Sequence, residues 1–168
     1  RSAVVVLNDV DVSAGLARRL AKYVEQGGGL FVAAGPRATW PKDVDVLPAE
    51  IGNPVDRTRG DAARIGALEY GHPVFEPFRA PRSGDFSGAR FYSYRAVAPA
   101  KDAQIIARFD DGAAALVERR VGNGRVLVWT SSLDASTSRA VLVWIHGGGF
   151  FAGFGGEERY DGRWLARK

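Results

Sequence analysis

The chain has 168 residues, 46% of them hydrophobic, which is enough for one globular domain with a buried core. It contains no cysteine, so disulfides, thiolate metal sites and cysteine nucleophiles are excluded. No run of about 18 apolar residues occurs, so a membrane-spanning helix is not expected. The net charge of +4 comes from scattered arginines and indicates a solvated basic surface more than a nucleic-acid-binding face.

The beginning of the chain predicts a strand, a helix and a second strand. Residues 3–7 are apolar and mostly β-branched, which is typical of a strand buried on both faces. Either Asp11 or Ser13 can cap the helix that follows, and one helical face carries Leu16, Leu20, Tyr23 and Val24. Glycines 27–29 end the helix, and residues 30–34 form the second strand. We therefore expect two parallel strands joined by a crossover helix.

The middle of the chain changes from irregular to antiparallel. Residues 41–54 carry three prolines and predict irregular structure with at most one short edge strand, and residues 55–61 predict a surface loop. Further extended segments are expected at residues 64–70, 90–96, 104–109, 115–119 and 125–130. Gly-containing tight turns connect the last three of these into an antiparallel meander. The sheet is therefore expected to be mixed, with a parallel N-terminal part and an antiparallel part from residues 90–130.

Six stretches carry a resemblance to a known family: residues 6–10, 23–30, 71–78, 81–86, 107–112 and 124–134. On these stretches, residues 3–134 resemble the class I glutamine amidotransferase-like domain of bacterial membrane-anchored von Willebrand factor A proteins of the aerotolerance type. The resemblance implies a three-layer, flavodoxin-like α/β fold with a mixed sheet, assigned here to residues 1–134. It does not imply amidotransferase chemistry, because that chemistry needs a cysteine after the second strand, where residues 33–36 read Ala-Ala-Gly-Pro.

The C-terminal part resembles a different family. Residues 139–168 look like a type-B carboxylesterase, and the similarity is carried by residues 141–150, 160–162 and 165–166. In that family the His-Gly-Gly-Gly loop, here residues 146–149, supplies backbone N–H groups of the oxyanion hole. We infer a junction between Asp134 and Arg139, and therefore a chimera. Residues 135–168 are expected to add a strand, a loop and a helix to the same domain.

An oxyanion hole acts only beside a nucleophile. No serine of this chain lies in a Gly-x-Ser-x-Gly sequence, and His72, which precedes a proline, is interpreted as a turn residue. The sequence therefore favours a non-catalytic α/β scaffold or interaction domain. The alternative is a weak esterase-type hydrolase that uses the loop with His146, Gly147 and Gly148 together with a water or a serine such as Ser131 or Ser132.

Ligands of doubly wound sheets bind beyond the carboxyl ends of the parallel strands. Those ends predict a ligand-binding position at Asn8, Asp9, Gly35 and Arg37. The two histidines are far apart and show no metal-ligand spacing, so no metal is expected. Glycines 27–29 follow a helix and do not open one, so no phosphate-binding loop and no cofactor are expected either.

Residues 139–145 have strand propensity and almost no polar face, and such a segment promotes association when it is left exposed. Two arrangements are open: addition to the edge of its own sheet, or pairing with a second chain. The short polar link from Asp134 to Arg139 favours the second, a homodimer through the C-terminal strand. Neither a membrane nor a nucleic acid is expected as a partner. The start at Arg1 without methionine predicts a piece of a longer protein, whose compartment the chain does not specify.

The expected core consists of apolar residues from the predicted helix and strands. Nearly complete burial is expected for Val5, Leu7, Leu20, Val24, Phe31, Val32, Ile106, Leu127 and Val128. On that basis the substitution Phe31→Ala would cost about 3–5 kcal/mol.

Overall fold

The computed structural model describes residues 4–75, 86 and 88–133. These residues form the helix α1 (Ala14–Glu25) and the strands β1 (Val4–Asn8), β2 (Gly29–Ala33), β3 (Ala49–Asp56), β4 (Ile65–Leu68), β5 (Ser93–Pro99), β6 (Gln104–Phe109), β7 (Ala114–Val121) and β8 (Gly124–Trp129). Six strands form one sheet in the order β1-β2-β8-β7-β6-β4, and β3 and β5 form a separate two-stranded ribbon.

The β-α-β beginning is confirmed. Ser13 is the N-cap of α1, and its hydroxyl accepts a hydrogen bond from the N–H of Leu16 at 3.4 Å. Asp11 lies outside the helix and accepts a hydrogen bond from the Thr39 hydroxyl. The helix ends at Glu25, and Gly27, two residues later, has a φ of 105°, which belongs to the left-handed region that favours glycine.

The expected mixed sheet and its meander are also confirmed. β2 pairs in parallel with β1 on one side and with β8 on the other. From β8 onward the sheet is antiparallel, through β7 and β6 to β4. The three-layer, flavodoxin-like arrangement stays a prediction, and the added C-terminal strand lies outside the described residues.

Two expectations for the middle of the chain were wrong. Residues 49–56 form one eight-residue strand, β3, where irregular structure with at most one short edge strand, followed by a surface loop from residue 55, was expected. β5 pairs with β3 and not with the sheet. β3 reads Ala-Glu-Ile-Gly-Asn-Pro-Val-Asp, which contains a glycine and a proline, and its pairing with β5 is irregular between Ile51 and Pro54. Pairing with β5, about 40 residues away along the chain, therefore makes β3 a strand more than its own sequence does.

Two apolar clusters cover the two faces of the sheet. The helix side is the cluster formed by α1, the loop before β3 and aliphatic residues such as Leu30, Val32 and Val126. The aromatic side is the opposite cluster, which includes Phe75, Tyr94 and Phe109. The core of the domain thus consists of two layers separated by the sheet.

Six of the nine core predictions are confirmed: Leu20, Val24, Val32, Ile106, Leu127 and Val128 are buried. Val5, Leu7 and Phe31 are only half-buried, so those three predictions were wrong. Val5 and Leu7 lie on β1, which is one of the two edge strands of the described sheet. Phe31 packs against the aromatic side, not beneath the helix.

Candidate functional site

The ends of three parallel strands meet at one edge of the sheet. Asn8 of β1 is level with Ala33 of β2, and Ala33 is level with Trp129 of β8. The residues that follow these strands therefore form one surface, called here the carboxyl edge. The four residues predicted to bind a ligand, Asn8, Asp9, Gly35 and Arg37, all lie there.

Asp9 and Arg37 form the centre of the carboxyl edge. The Asp9 carboxylate, 7% exposed, accepts hydrogen bonds from the backbone N–H of Arg37 at 2.6 Å and from its Nε at 3.0 Å. Asp9 has a φ of 53°, a conformation that aspartate adopts more readily than most residues. The Arg37 side chain is 78% exposed, so the positive charge of this pair faces solvent.

Gly35 is needed for the close approach between the two turns. A Cβ at this position would lie 2.6 Å from the Asp9 carboxyl group. Arg95 of β5 holds the same turn from the other side, because its Nη1 donates to the carbonyl of Pro36 at 3.0 Å. Its Nε donates to the carbonyl of Gly52 at 2.7 Å. Asp9 and Arg95 therefore fix the turn that carries Arg37.

The serines proposed as nucleophiles also lie at the carboxyl edge. Ser131 is 8% exposed, and its hydroxyl donates to the carbonyl of Ser93 at 2.8 Å. Ser132 follows it and is half-buried. The N–H of Leu133 donates to the Asn8 side-chain oxygen at 2.9 Å, which ties the chain to the end of β1. The Ser131 hydroxyl thus points its proton at a backbone carbonyl and not at a base.

His72 is buried and has both ring nitrogens occupied. It lies in the turn region after β4, as predicted, but only 7% of it is exposed. Its Nε2 lies 2.6 Å from Oε2 of Glu118, and its Nδ1 accepts from the N–H of Val74 at 3.3 Å. The bond from Val74 makes Nδ1 the acceptor, so Nε2 is the nitrogen that donates to Glu118. His72 is therefore bound to a carboxylate and a backbone amide, not to a serine.

The sequence interpretation missed a buried ionic cluster, formed by His72, Glu118 of β7 and Arg125 of β8. Arg125 Nη1 pairs with Oε1 of Glu118, and each of the three residues is at most 7% exposed. Glu118 directly follows four apolar residues of β7, and Arg125 directly precedes four apolar residues of β8; a charge next to each apolar run was the available signal. The cluster joins the turn after β4 to two central strands, which gives it a positioning role.

A cleft of about 350 Å³ lies between the loop at residues 40–47 and the β3–β5 ribbon. Most of its lining residues are apolar, and the lining also includes the exposed ion pair between Lys42 and Glu50, which are 2.7 Å apart. Of the predicted site residues that the structure describes, none lines this cleft.

Within residues 4–75, 86 and 88–133, no group of three or more His, Asp or Glu side chains is arranged to hold a metal ion. In the same part of the chain, no helix is long and apolar enough to cross a membrane. His146, Gly147 and Gly148 lie outside the described residues. The homodimer through the C-terminal strand also rests on residues outside that range and stays a prediction.

Comparison with known proteins gives one short sequence match. No family model matches the chain. Cholinesterase 1 of Branchiostoma lanceolatum is 58% identical over 40 residues, which are 24% of this chain and 11% of the cholinesterase. The chain thus spans about a tenth of the length of the curated relative it matches. The match supports an esterase-type segment in the chain, whereas the glutamine amidotransferase-like part has no such support.

Several solved structures share the fold. Cytoplasmic Protein STM3548 from Salmonella typhimurium has a TM-score of 0.61 and 19% identity, over 80% of this chain and 63% of that chain. A beta-galactosidase from Bacillus circulans sp. alkalophilus has a TM-score of 0.53 and 19% identity, over 78% of this chain and 20% of that chain. At such identities the likeness shows a common α/β fold and nothing about activity.

Proposed function

We propose that the chain is a non-catalytic α/β scaffold or interaction domain. The observation that carries the proposal is the state of the polar groups at the carboxyl edge. Ser131 donates to Ser93, Asn8 accepts from Leu133, and Asp9 is held by Arg37. A catalytic serine needs a base within hydrogen-bonding distance, and His72 is engaged with Glu118. These hydrogen bonds are typical of a structural surface whose polar groups bind one another, and not of a serine activated as a nucleophile.

A weak esterase is the second candidate, and the short cholinesterase match favours it. In this alternative the loop at residues 146–149 supplies oxyanion N–H groups, and Ser131 or Ser132 is the nucleophile. An oxyanion hole accelerates a reaction only when its donors lie within about 3 Å of the developing charge.

A chromogenic ester assay separates the two candidates. Three proteins are assayed: the full chain, the variant His146→Ala, and the double variant Ser131→Ala with Ser132→Ala. Heat-denatured full chain is the control. For a scaffold domain we expect the full chain to show no turnover above that control. Turnover that the double serine variant abolishes would establish the esterase and overturn the scaffold proposal.

The interaction surface that we propose is the carboxyl edge, and its ligand carries negative charge. The exposed guanidinium of Arg37 is fixed there by the buried carboxylate of Asp9. Inorganic phosphate is a suitable probe, followed by the amide NMR shifts of Gly35 and Arg37. We expect Arg37→Gln to lose the saturable shifts. The control Arg18→Gln, which removes another exposed arginine paired with an aspartate, should keep them.

A further inference from the structure

The cleft between the loop at residues 40–47 and the β3–β5 ribbon has the size of a small-molecule site. Its volume of about 350 Å³ falls at the lower end of the range of roughly 300–1,000 Å³ that is typical of such sites. Aliphatic side chains line it from the loop, such as Val44 and Leu47, and from the ribbon, such as Ile51, and Trp40 adds an indole ring. The cleft can therefore bury the apolar body of a ligand.

Hydrogen bonds within the protein hold the walls of the cleft in place. The Nε1 of Trp40 donates to the carbonyl of Val44 at 3.0 Å, which fixes the indole ring on its own loop. Arg119 of β7 donates through Nη1 to the carbonyl of Leu47 at 3.3 Å. The opposite wall is the ribbon, whose two strands are hydrogen-bonded to each other. A site whose walls are already ordered loses less free energy on binding than one that must order itself around its ligand.

The lining carries more negative than positive charge. Its charged side chains are the carboxylates of Asp45 and Glu50 and the ammonium of Lys42, so two negative charges stand against one positive charge. A hydrogen bond from Lys42 lowers the pKa of Glu50. Hydrogen bonding by Arg119, which lies outside the lining, lowers the pKa of Asp45, so both carboxylates are ionised at neutral pH. The whole chain has a net charge of +4, so the sign is reversed locally at this cleft.

Both carboxylates keep acceptor capacity for a ligand. Glu50 binds Lys42 through Oε1 at 2.7 Å, and its side chain is 60% exposed. Asp45 binds Arg119 through both oxygens, and its side chain is 80% exposed. Because a carboxylate offers about four acceptor positions, each of the two can accept a further hydrogen bond. Such hydrogen bonds are strongest when the donor is positively charged.

We propose that this cleft binds a small organic ammonium ion, with the apolar body of the ligand against Trp40 and its charged end at Glu50 and Asp45. An indole is the aromatic ring that attracts a cation most strongly. The aliphatic lining removes the ligand body from water, and the net negative charge disfavours carboxylates and phosphates. The proposal is independent of the carboxyl edge, whose Asp9 and Arg37 do not line the cleft.

Three probes with the same phenylethyl body test the requirement for positive charge: phenethylammonium, neutral phenethyl alcohol and the hydrocinnamate anion. Each is titrated into the isotope-labelled full chain, and the indole N–H signals are followed by NMR. The Trp40 signal, identified by its loss in Trp40→Phe, reports on the cleft because this N–H is bonded to the loop at Val44. The signal of Trp129, which packs on the aromatic side, is the internal reference.

We expect a saturable shift of the Trp40 signal with phenethylammonium, and an affinity for phenethyl alcohol that is roughly three- to tenfold weaker. Hydrocinnamate has a similar length and the opposite charge, so it should bind more weakly than the alcohol. The Trp129 signal should not move with any probe. All three probes are compared on the natural chain, so this test does not depend on the folding of a variant.

Three variants separate the cleft from the rest of the surface. Glu50→Gln makes the lining neutral, so the preference for phenethylammonium over the alcohol should fall to roughly twofold or less. Asp43→Asn is the matched control and should keep the full preference, because Asp43 lies on the same loop, pairs with Arg18 and does not line the cleft. Ala98 lines the cleft and is exposed, so Ala98→Leu fills space there without replacing a core side chain and should weaken the binding of every probe.

Each of the other outcomes overturns the proposal. Equal affinity for phenethylammonium and the alcohol would mean an apolar cleft without charge selection, and tighter binding of hydrocinnamate would mean the opposite selection. A Trp40 signal that no probe moves would mean that the cleft does not bind this class of ligand. A shift that Ala98→Leu leaves unchanged would place the ligand elsewhere, and an equal loss in Asp43→Asn would mean a general effect of surface charge. Phosphate binding at the carboxyl edge is read at Gly35 and Arg37, so either proposal can fail without the other.

Discussion

The two sides of the six-stranded sheet are stabilised by different chemistry. On the helix side, aliphatic residues of β2 and β8 pack under α1, with Val24, Leu30 and Val126 fully buried. The aromatic side contains ring contacts, such as Tyr94 to Phe109 at 4.6 Å between centroids. It also faces the buried ionic cluster, since Glu118 and Leu127 are paired neighbours in the sheet. Burial of aliphatic side chains therefore stabilises the helix side, whereas the aromatic side combines ring contacts with a buried ion pair.

The largest loss of unfolding free energy is expected when the buried ionic cluster is disrupted. Glu118→Leu leaves Arg125 buried without its carboxylate, and breaking such a pair costs about 3–5 kcal/mol. The triple variant Glu118→Leu, Arg125→Met and His72→Phe removes all the polar groups together, so it should regain most of that loss. Urea unfolding of the single and triple variants measures the difference. A triple variant no more stable than the single one would show that the three side chains do not depend on one another for their contribution to stability.

The next largest loss of stability is expected for β2, where neighbouring residues on opposite faces of the strand can be compared. Leu30 is fully buried on the helix side, so Leu30→Ala should cost about 2–5 kcal/mol. Phe31 is half-buried on the aromatic side, so Phe31→Ala should cost less than the 3–5 kcal/mol expected from the sequence for a fully buried phenylalanine. Thermal unfolding of the two variants shows which substitution lowers the stability more. A larger loss for Phe31→Ala would contradict the assignment of the two faces.

A smaller effect is expected at the start of α1, which covers the helix side. Ser13→Ala removes the side-chain acceptor for the N–H of Leu16 and should cost about 1 kcal/mol. Asp11→Ala is the matched control, because Asp11 was the other predicted cap and is bonded to Thr39 instead. Chemical unfolding should rank Ser13→Ala as the more destabilised of the two. Equal losses would argue against Ser13 as the dominant cap.

The smallest effect concerns acid stability on the aromatic side. Burial pushes the pKa of Asp111 upward, but hydrogen bonds from Tyr94 and Ala113 and the charge of Arg57 outweigh it, so this pKa is lowered overall. A lowered carboxyl pKa adds stability above the unfolded value of about 3.9, and that contribution disappears as the pH falls through the folded pKa. Asp111 is partly exposed, so the contribution should stay below roughly 1 kcal/mol.

The test for Asp111 is a set of unfolding curves from pH 7 down to pH 2.5. Asp111→Asn should lose stability at pH 7 relative to the natural chain, and the two proteins should converge toward the acid end. Asp61→Asn is the control, because the backbone carbonyl of Asp61, and not its carboxylate, accepts from Arg57. A constant difference across the range would show that the Asp111 charge does not contribute.

Much of the fold could be predicted because it depends on local patterns. The run of apolar residues in β1 and β2, the cap at Ser13 and the glycine at position 27 act within a few residues of one another. The meander from β6 to β8 was predicted for the same reason, since two tight turns join its strands. The core positions on β1 were wrong because burial depends on a strand's place in the sheet, which its own composition does not encode.

The candidate site shows the same distinction between features set by local patterns and features set by contacts between distant segments. The carboxyl edge was predicted from strand direction alone, because parallel neighbours end at the same place. The bond between Asp9 and Arg37, by contrast, needed the turn that brings them together, across 28 positions of the chain. The partners of His72 lie still farther away, since Glu118 is 46 positions downstream. No pattern within a short window distinguishes such a pair from two unrelated polar residues.

The sequence by itself determined the β-α-β unit, the mixed sheet and the edge at which Asn8, Asp9, Gly35 and Arg37 meet, because hydrophobic periodicity, capping and turn chemistry are local. The tertiary structure alone decided that β3 and β5 form a separate ribbon and that His72, Glu118 and Arg125 form a buried cluster. It also decided that Leu133 lies beside Asn8 at the end of β1, 125 positions away along the chain. These features depend on contacts between distant segments, whose stability is set by burial and pairing and not by the propensity of either segment.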